Sequence, residues 1–185
     1  MTLFYITYAI WFLSEIVLNR IMRSGNADKK NQDKGSLLII WITISIAIAG
    51  GVISAQNFNT PIGQYITVSY TGLFLIIAGM IIRFTAVRSL GKMFTVDVTI
   101  RENHKIKQGG IYKLIRHPSY TGSLLSFAGF GLSLNNRISL LISVVLVPLA
   151  FLYRIRIEEK ALTDQFGTDY LEYKKRTYRL IPFIY

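Results

Sequence analysis

The heptad RHPSYTG, residues 116–122, places two basic side chains, a proline, a phenol and a glycine between two apolar stretches. His117 precedes Pro118, which biases it away from helical geometry and leaves nearby backbone groups free to pair with a ligand. The Tyr120 phenol can stack on a ring, form a hydrogen bond or attract a cation by its face. Gly122 would allow close approach. The heptad therefore predicts a polar binding site at the point where hydrocarbon begins.

The same seven residues also suit a purely structural role. Pro118 is favoured in the first turn of a helix, where its missing N–H is not needed. Arg116 and His117 would then face lipid headgroups, and Gly122 would let two helices pack closely. The heptad alone leaves both interpretations open.

A second group of charged residues follows the apolar run LLISVVLVPLAFLY, residues 140–153. Arg154 comes directly after this run, and Glu158 lies four residues further on, so the two share one face of a helix. An exposed pair of this kind contributes only a few tenths of a kcal/mol. Beside hydrocarbon, however, a charge is costly unless it has a partner or a function, and a guanidinium can hold a carboxylate in one plane.

Three apolar segments precede the heptad, and each is close to the length of a membrane-spanning helix. Segments 37–54 and 66–82 contain no charged residue. Segment 2–18 contains one, Glu15, and lacks the basic start and the small-residue cleavage site of a signal peptide, which favours a retained first span. The sequence therefore predicts an integral membrane protein.

Two further apolar segments, 120–134 and 138–153, are short for independent spans and predict a tight helical hairpin. Residues 135–137, NNR, would form its turn, and Pro148 is expected to bend the second arm. The predicted fold class is an all-α membrane helix bundle of about five transmembrane helices.

The charges also predict the orientation of the bundle. Segments 20–34 and 83–116 are basic, whereas segment 55–65 carries no charge, so the basic loops are expected on the cytosolic side. The helical pattern breaks at Gly167 and restarts in segment 168–180, which could be a lid on a cytosolic pocket or a passive amphipathic anchor.

Composition excludes several other classes of function. The net charge of +11 fits anionic headgroups better than nucleic acid, because no recognised nucleic-acid module is present. The chain has no cysteine and two histidines, so we expect no thiolate or histidine-cluster metal site. No strand is followed by a glycine-rich turn and a helix, which excludes a Rossmann-type nucleotide-binding fold.

The segment HKIKQGGIYKLIRHPSYTG, residues 104–122, resembles the isoprenylcysteine carboxyl methyltransferase family of membrane enzymes. The residues that fill the family pattern in order are His104, Ile106, Gly110, Tyr112, Arg116, His117, Pro118, Tyr120 and Gly122. Segment 154–176 is similar to the family's C-terminal block, with its adjacent glutamates, Phe-Gly and Tyr-x-x-Tyr-Lys-Lys. Residues 1–90 resemble the family only in being hydrophobic.

The resemblance implies a cytosol-facing pocket that binds S-adenosylmethionine and methylates a lipophilic acceptor, such as a prenylated one, that the membrane delivers. We expect one domain, residues 1–185, with three spans in 1–90 and the catalytic region in 91–185. The cofactor-binding residues that it implies are His104, Lys105, Ile106, Lys107, Tyr112, His117, Pro118, Ser119, Tyr120 and Glu158. Arg154 would hold the acceptor carboxylate as the catalytic residue, and Asp97 falls where the family has a polar cofactor contact.

Three alternatives remain open at the level of the sequence. A phospholipid or other lipid amine acceptor would need a general base, from Glu158, Glu159, His104 or a tyrosine, whereas a carboxylate acceptor would not. Sterol reductases of a related fold carry similar heptads and use NADPH, although the C-terminal block favours the methyltransferases. A membrane scaffold without catalysis is the third alternative.

Overall fold

The computed structural model describes residues 2–21, 35–91 and 106–183, and most of them are helical. The elements are α1 (Thr2–Ile21), α2 (Ser36–Asn57), α3 (Tyr65–Leu90), a short 3-10 helix (Gly110–Lys113), α4 (Pro118–Ser133), α5 (Arg137–Phe166) and α6 (Thr168–Arg176). No β-strand forms within these ranges, where Ile115 and Tyr178 make an isolated bridge. The predicted all-α class is confirmed.

Four of these helices, α1, α2, α3 and α5, are long and apolar enough to cross a membrane. Helix α4 has 16 residues. At a rise of about 1.5 Å per residue it is about 24 Å long, which is shorter than a hydrocarbon core of about 30 Å. The chain is therefore an integral membrane protein. Five spans were expected, and four of the described helices reach the required length.

The predicted helical hairpin consists of α4 and α5, with its turn at residues 134–136. The Asn136 side chain caps α5 by accepting a hydrogen bond from the Ser139 N–H at 3.0 Å. Asn135 adopts a positive φ of 47°. Pro148 lies inside α5, which continues past it to Phe166. The second arm is therefore much longer than its apolar stretch, and its last part carries the charged residues of the polar end.

Helices α3 and α4 pack most closely, along a row of glycines. A Cβ atom on Gly79 would lie 2.4 Å from the Gly122 carbonyl oxygen, and one on Gly129 would lie 2.6 Å from the Gly72 carbonyl oxygen. Gly122 therefore packs against α3, and the expectation that it lets a ligand approach is wrong. Two backbones this close leave no room for a side chain at these glycine positions.

The two ends of the bundle carry different polar groups. At one end, here called the polar end, Glu15 of α1 contacts Arg83 of α3, Arg83 contacts Ser119 in the first turn of α4, and Arg154 of α5 contacts Ser36 at the start of α2. At the opposite end, loop 58–64 contacts the α4–α5 turn: the Asn135 Oδ1 accepts the N–H of Gly63 at 3.2 Å, and the Asn136 amide donates to the Phe58 carbonyl at 2.6 Å. Both basic segments of the sequence leave α1 and α3 at the polar end, which is therefore the predicted cytosolic end.

Residues 177–180 run beside the start of α4 and pair with its backbone. The Arg116 N–H donates to the Tyr178 carbonyl at 2.9 Å, and the His117 N–H donates to the Arg179 carbonyl at 3.2 Å. From the sequence, the backbone around His117 was expected to be free for a ligand, because Pro118 biases this residue away from helical geometry. That expectation is wrong for these two N–H groups, since a distant part of the chain pairs them.

Candidate active site

Arg154, the predicted catalytic residue, lies buried at the polar end with 2% of its surface exposed. Its Nε donates to the Tyr120 hydroxyl at 3.0 Å, and its Nη1 donates to the Ser36 hydroxyl at 2.9 Å. The guanidinium is thus held between α2 and α4, in the plane that these two hydrogen bonds define. A buried guanidinium in a fixed plane is suited to hold a carboxylate.

Tyr120 connects Arg154 to Glu158. The Tyr120 hydroxyl donates to Glu158 Oε2 at 2.7 Å while it accepts from Arg154 Nε. The Glu158 side chain is 30% exposed, so one side of this carboxylate remains accessible. The Tyr120 ring stacks on His117 with ring centres 5.7 Å apart and meets Phe151 edge-on at 5.4 Å. The structure therefore brings four of the predicted site residues into one cluster: Arg154, Glu158, Tyr120 and His117.

Glu159 lies on the other side of His117 and holds together three parts of the chain. Its carboxylate accepts from Arg116 Nε at 2.6 Å and Arg179 Nη2 at 3.0 Å, and its Oε1 lies 3.3 Å from His117 Nε2. Lys174 adds a fourth basic side chain at 3.5 Å. Because basic side chains surround this buried carboxylate, its ionised form is stabilised, and its contacts give it a structural role.

Tyr112 lies in the 3-10 helix, where its phenol donates to the Ala86 carbonyl at 3.3 Å. Its own carbonyl accepts a hydrogen bond from the Tyr173 hydroxyl of α6 at 2.7 Å. Burial raises the pKa of both phenols well above the usual range, so both stay protonated donors at neutral pH. The Tyr112 side chain therefore fastens the 3-10 helix to α3, and its role toward a cofactor remains a prediction.

The remaining predicted residues differ in how the structure places them. Ser119 and Pro118 are buried in the first turn of α4, whereas Ile106 is half-buried and Lys107 is exposed. His104, Lys105 and Asp97 lie outside the described residues. Of the four consecutive residues 104–107 that were predicted to bind the cofactor, the structure thus describes only the last two.

An ion pair that was not predicted from the sequence lies next to this cluster. Arg83, near the end of α3, donates from Nη2 to Glu15 Oε2 at 2.7 Å and from Nη1 to the Ser119 hydroxyl at 2.9 Å. The side chains of Arg83 and Glu15 are 13% and 20% exposed. Each is the charge nearest the end of an otherwise apolar segment. Since charges beside hydrocarbon normally have partners, these two positions could have predicted the pair.

An open cleft, here called the inner cavity, extends from these polar groups into the bundle. Glu15, Arg83, Tyr120 and Arg154 form its polar head. Its walls are apolar and come from α1, α2, α4 and α5; they include Trp11, Ile40, Ile44, Phe127 and Phe151. The shape and chemistry of the cavity suit a molecule with a charged head and an apolar tail.

Comparisons with known proteins agree with this arrangement. A family model described as phospholipid methyltransferase matches residues 67–169, more than half of the chain. A probable protein-S-isoprenylcysteine O-methyltransferase of rice, Oryza sativa subsp. japonica, is 33% identical over 84% of this chain and 84% of its own length. Protein-S-isoprenylcysteine O-methyltransferase B of Arabidopsis thaliana is 40% identical over 69% of this chain.

A solved structure shows the same fold. It is a eukaryotic intramembrane Ras methyltransferase, isoprenylcysteine carboxyl methyltransferase, with a TM-score of 0.64 and 27% sequence identity. The match covers 78% of this chain and 52% of that chain. The chain also spans 66% and 62% of the lengths of the two Arabidopsis thaliana relatives.

The fold and the matched segment define a membrane protein of the class that the phospholipid methyltransferase model describes. Within that class, the chain belongs to the isoprenylcysteine carboxyl methyltransferase family. The resemblance that the two sequence blocks indicated is thereby confirmed.

Proposed function

We propose that this chain is an S-adenosylmethionine-dependent methyltransferase of the membrane, and that it methylates the carboxylate of a prenylcysteine or a similar lipophilic acceptor. The observation that carries the proposal is the position of Arg154. It is buried at the head of the inner cavity, next to apolar walls, where an acceptor carboxylate would meet a guanidinium and its chain would meet Phe127 and Phe151. The relatives are named for the same acceptor class.

The residues around Tyr120 fit the cofactor that the family implies. The Glu158 carboxylate is partly exposed, and its orientation is fixed by the hydrogen bond from Tyr120. It is therefore suited to bind an ammonium or a ribose hydroxyl group. The stacked rings of His117 and Tyr120 suit an aromatic or a cationic group. When bound, S-adenosylmethionine supplies a methyl group on a positively charged sulfur. We assign His117, Tyr120 and Glu158 to the cofactor side and Arg154 to the acceptor side.

Catalysis by these residues consists of orientation and exclusion of water. A carboxylate acceptor is already ionised at neutral pH, so no side chain has to remove a proton. Arg154 fixes the plane of that carboxylate, and Tyr120 couples its position to the cofactor side through Glu158. The apolar walls keep water away from two opposite charges that cancel during the transfer. A single domain, residues 1–185, with its site open to the cytosol completes the proposal.

Labelling of the acceptor tests this function directly. Membranes that contain the protein are incubated with methyl-labelled S-adenosylmethionine, and the labelled product is identified by mass spectrometry. A base-labile methyl ester on a prenylcysteine supports the proposal. Label on a phospholipid amine would replace it with the amine alternative, and binding of NADPH with no binding of S-adenosylmethionine would replace it with the reductase alternative.

A further inference from the structure

The inner cavity is followed by a second, larger cavity toward the opposite end of the bundle. This outer cavity is open at one side, and Phe4, Val52, Ala55 and Phe130 are among the residues that line it. The two cavities share three lining residues, which are Trp11, Phe12 and Ile48. They therefore meet at one level of the bundle, between α1 and α2.

Trp11 is the most firmly fixed of the three shared residues. It is 5% exposed, and its ring meets Phe127 edge-on at 4.8 Å and lies 5.9 Å from the Phe130 ring. Phe12 is 46% exposed and Ile48 is half-buried, so neither is packed on all sides. The indole ring of Trp11 therefore forms the rigid part of the partition between the cavities.

We propose that Trp11 sets the length of the apolar chain that the acceptor can carry. The inference rests on the proposed function, because it assigns the acceptor carboxylate to Arg154 at the head of the inner cavity. With the carboxylate fixed there, the chain extends along α1 toward Trp11. A chain longer than the inner cavity reaches the level of Trp11, where the packing of the indole on Phe127 and Phe130 opposes its entry into the outer cavity.

A series of S-prenylated N-acetylcysteines with two, three and four isoprene units tests this inference. For the parental protein we expect a step of about tenfold or more in kcat/KM where the chain becomes too long for the inner cavity, since a single methylene in a tight apolar pocket can change the ratio tenfold. Trp11→Ala and the milder Trp11→Leu should remove the step and raise kcat/KM for the longest chain relative to the shortest.

Two matched variants control for effects on the membrane-embedded fold. Ile10→Ala changes the neighbouring residue of α1, which is 54% exposed and lines neither cavity, and it should keep the parental profile. Ala55 lines only the outer cavity, so adding Ala55→Leu to Trp11→Ala should restore the penalty for the longest chain alone. Folding of each variant is checked by gel filtration and by binding of S-adenosylhomocysteine.

The outcomes separate the inference from the proposed function. The same variants are titrated with a series of saturated fatty acids, and binding is followed by thermal shift, which requires no methyl transfer. A length step that disappears in both Trp11 variants supports the inference even if no prenylcysteine is methylated. Identical length profiles for the parental protein and both folded Trp11 variants, or no step in the parental protein in either assay, overturn it.

Discussion

Tyr120 lies between two charged groups that the sequence places four residues apart on α5. Its hydroxyl accepts from Arg154 and donates to Glu158, so the phenol fixes both side chains with one atom. The sequence indicated that Arg154 and Glu158 share a helical face, but only the position of α4 shows that a third residue joins them. The Tyr120 hydroxyl is therefore the atom through which Arg154 and Glu158 are coupled.

The first prediction concerns the shape of the Arg154 side chain. Arg154→Lys keeps the positive charge but loses the planar group that donates to Tyr120 and Ser36, so we expect turnover to fall by at least about tenfold. Arg154→Ala should cost about 2 to 5 kcal/mol in kcat/KM, where 1.4 kcal/mol corresponds to a factor of about ten. Affinity for S-adenosylmethionine, measured by calorimetry, should change only a few-fold.

Arg156→Lys is the control for Arg154, since Arg156 lies on the same helix with an exposed side chain. It should behave as the parental protein in both measurements. Parental turnover of a folded Arg154→Ala protein would show that no carboxylate is held there, and an amine or neutral acceptor would become the better assignment.

The second prediction concerns the Tyr120 hydroxyl. Tyr120→Phe keeps the ring that contacts His117 and Phe151 but removes the atom that joins Arg154 to Glu158. Hydrogen bonds to charged groups contribute about 1.5 to 3 kcal/mol, so turnover and cofactor affinity should both fall. The product of the two factors should be roughly tenfold to a hundredfold. Steady-state kinetics and calorimetry measure the two effects.

Tyr153→Phe provides the comparison for Tyr120→Phe. The Tyr153 side chain is 41% exposed, so its hydroxyl should be dispensable for both readouts. If Tyr120→Phe changed turnover and left cofactor affinity at the parental value, Tyr120 would belong to the acceptor side alone.

Helix α1 is joined to the bundle by side chains rather than by close backbone packing. Aromatic contacts from Trp11 and Tyr8 reach α4, and the Glu15–Arg83 ion pair reaches α3. Arg83 in turn donates to Ser119, so the pair also links α1 to the first turn of α4. The docking of this helix and the geometry of the polar head therefore depend on the same charges.

The third prediction follows from this ion pair. Glu15→Ala leaves the Arg83 guanidinium beside hydrocarbon with its main counter-charge removed, and we expect a loss of about 2 kcal/mol in stability, because the pair is largely but not fully buried. Thermal unfolding in detergent should show the lower midpoint. Glu172→Ala removes an exposed pair with Lys175 and should leave the midpoint unchanged. Equal midpoints for both variants would contradict the docking role of Glu15.

The sequence predicted the elements better than their contacts, for a physical reason. The α4–α5 hairpin, its asparagine turn and the entry of α4 at Pro118 all follow from residues close together in the chain. The pairing of residues 177–180 with Arg116 and His117 joins segments about 60 residues apart, and no local pattern reports it. For Gly122 the sequence allowed both a ligand and a helix partner, and only the approach of Gly79 decides for the helix.

The polar groups of the candidate site lie at one end of the bundle, and the uncharged loop 58–64 lies at the other. The basic loops predict that the first end faces the cytosol. A hydrophobic acceptor would then bind from the plane of the membrane while its carboxylate reaches Arg154 near the cytosolic surface. The orientation is thus part of the proposed function and can be measured independently of activity.

The fourth prediction is this topology. The chain has no cysteine, so single cysteines at Asn57, Asn135 and Lys107 can be labelled without a background. An impermeant maleimide added to intact cells should label positions 57 and 135 and should label position 107 only after the cells are opened. The basic loops predict the same cytosolic location for Asp28 and His104, which lie outside the described residues. Labelling of position 107 from outside would reverse the orientation.

The hydrogen bonds that tie loop 58–64 to the α4–α5 turn also have a mechanical meaning. Asn135, Asn136 and Arg137 fasten this end, and the Tyr8–Ser133 contact of 2.6 Å attaches the first half of α1 to it. These bonds hold the loop between α2 and α3 against the turn between α4 and α5, so the four helices keep a fixed spacing at this end. The position of Tyr120 on α4 relative to Arg154 on α5 is therefore set partly by a turn at the far end of the same hairpin.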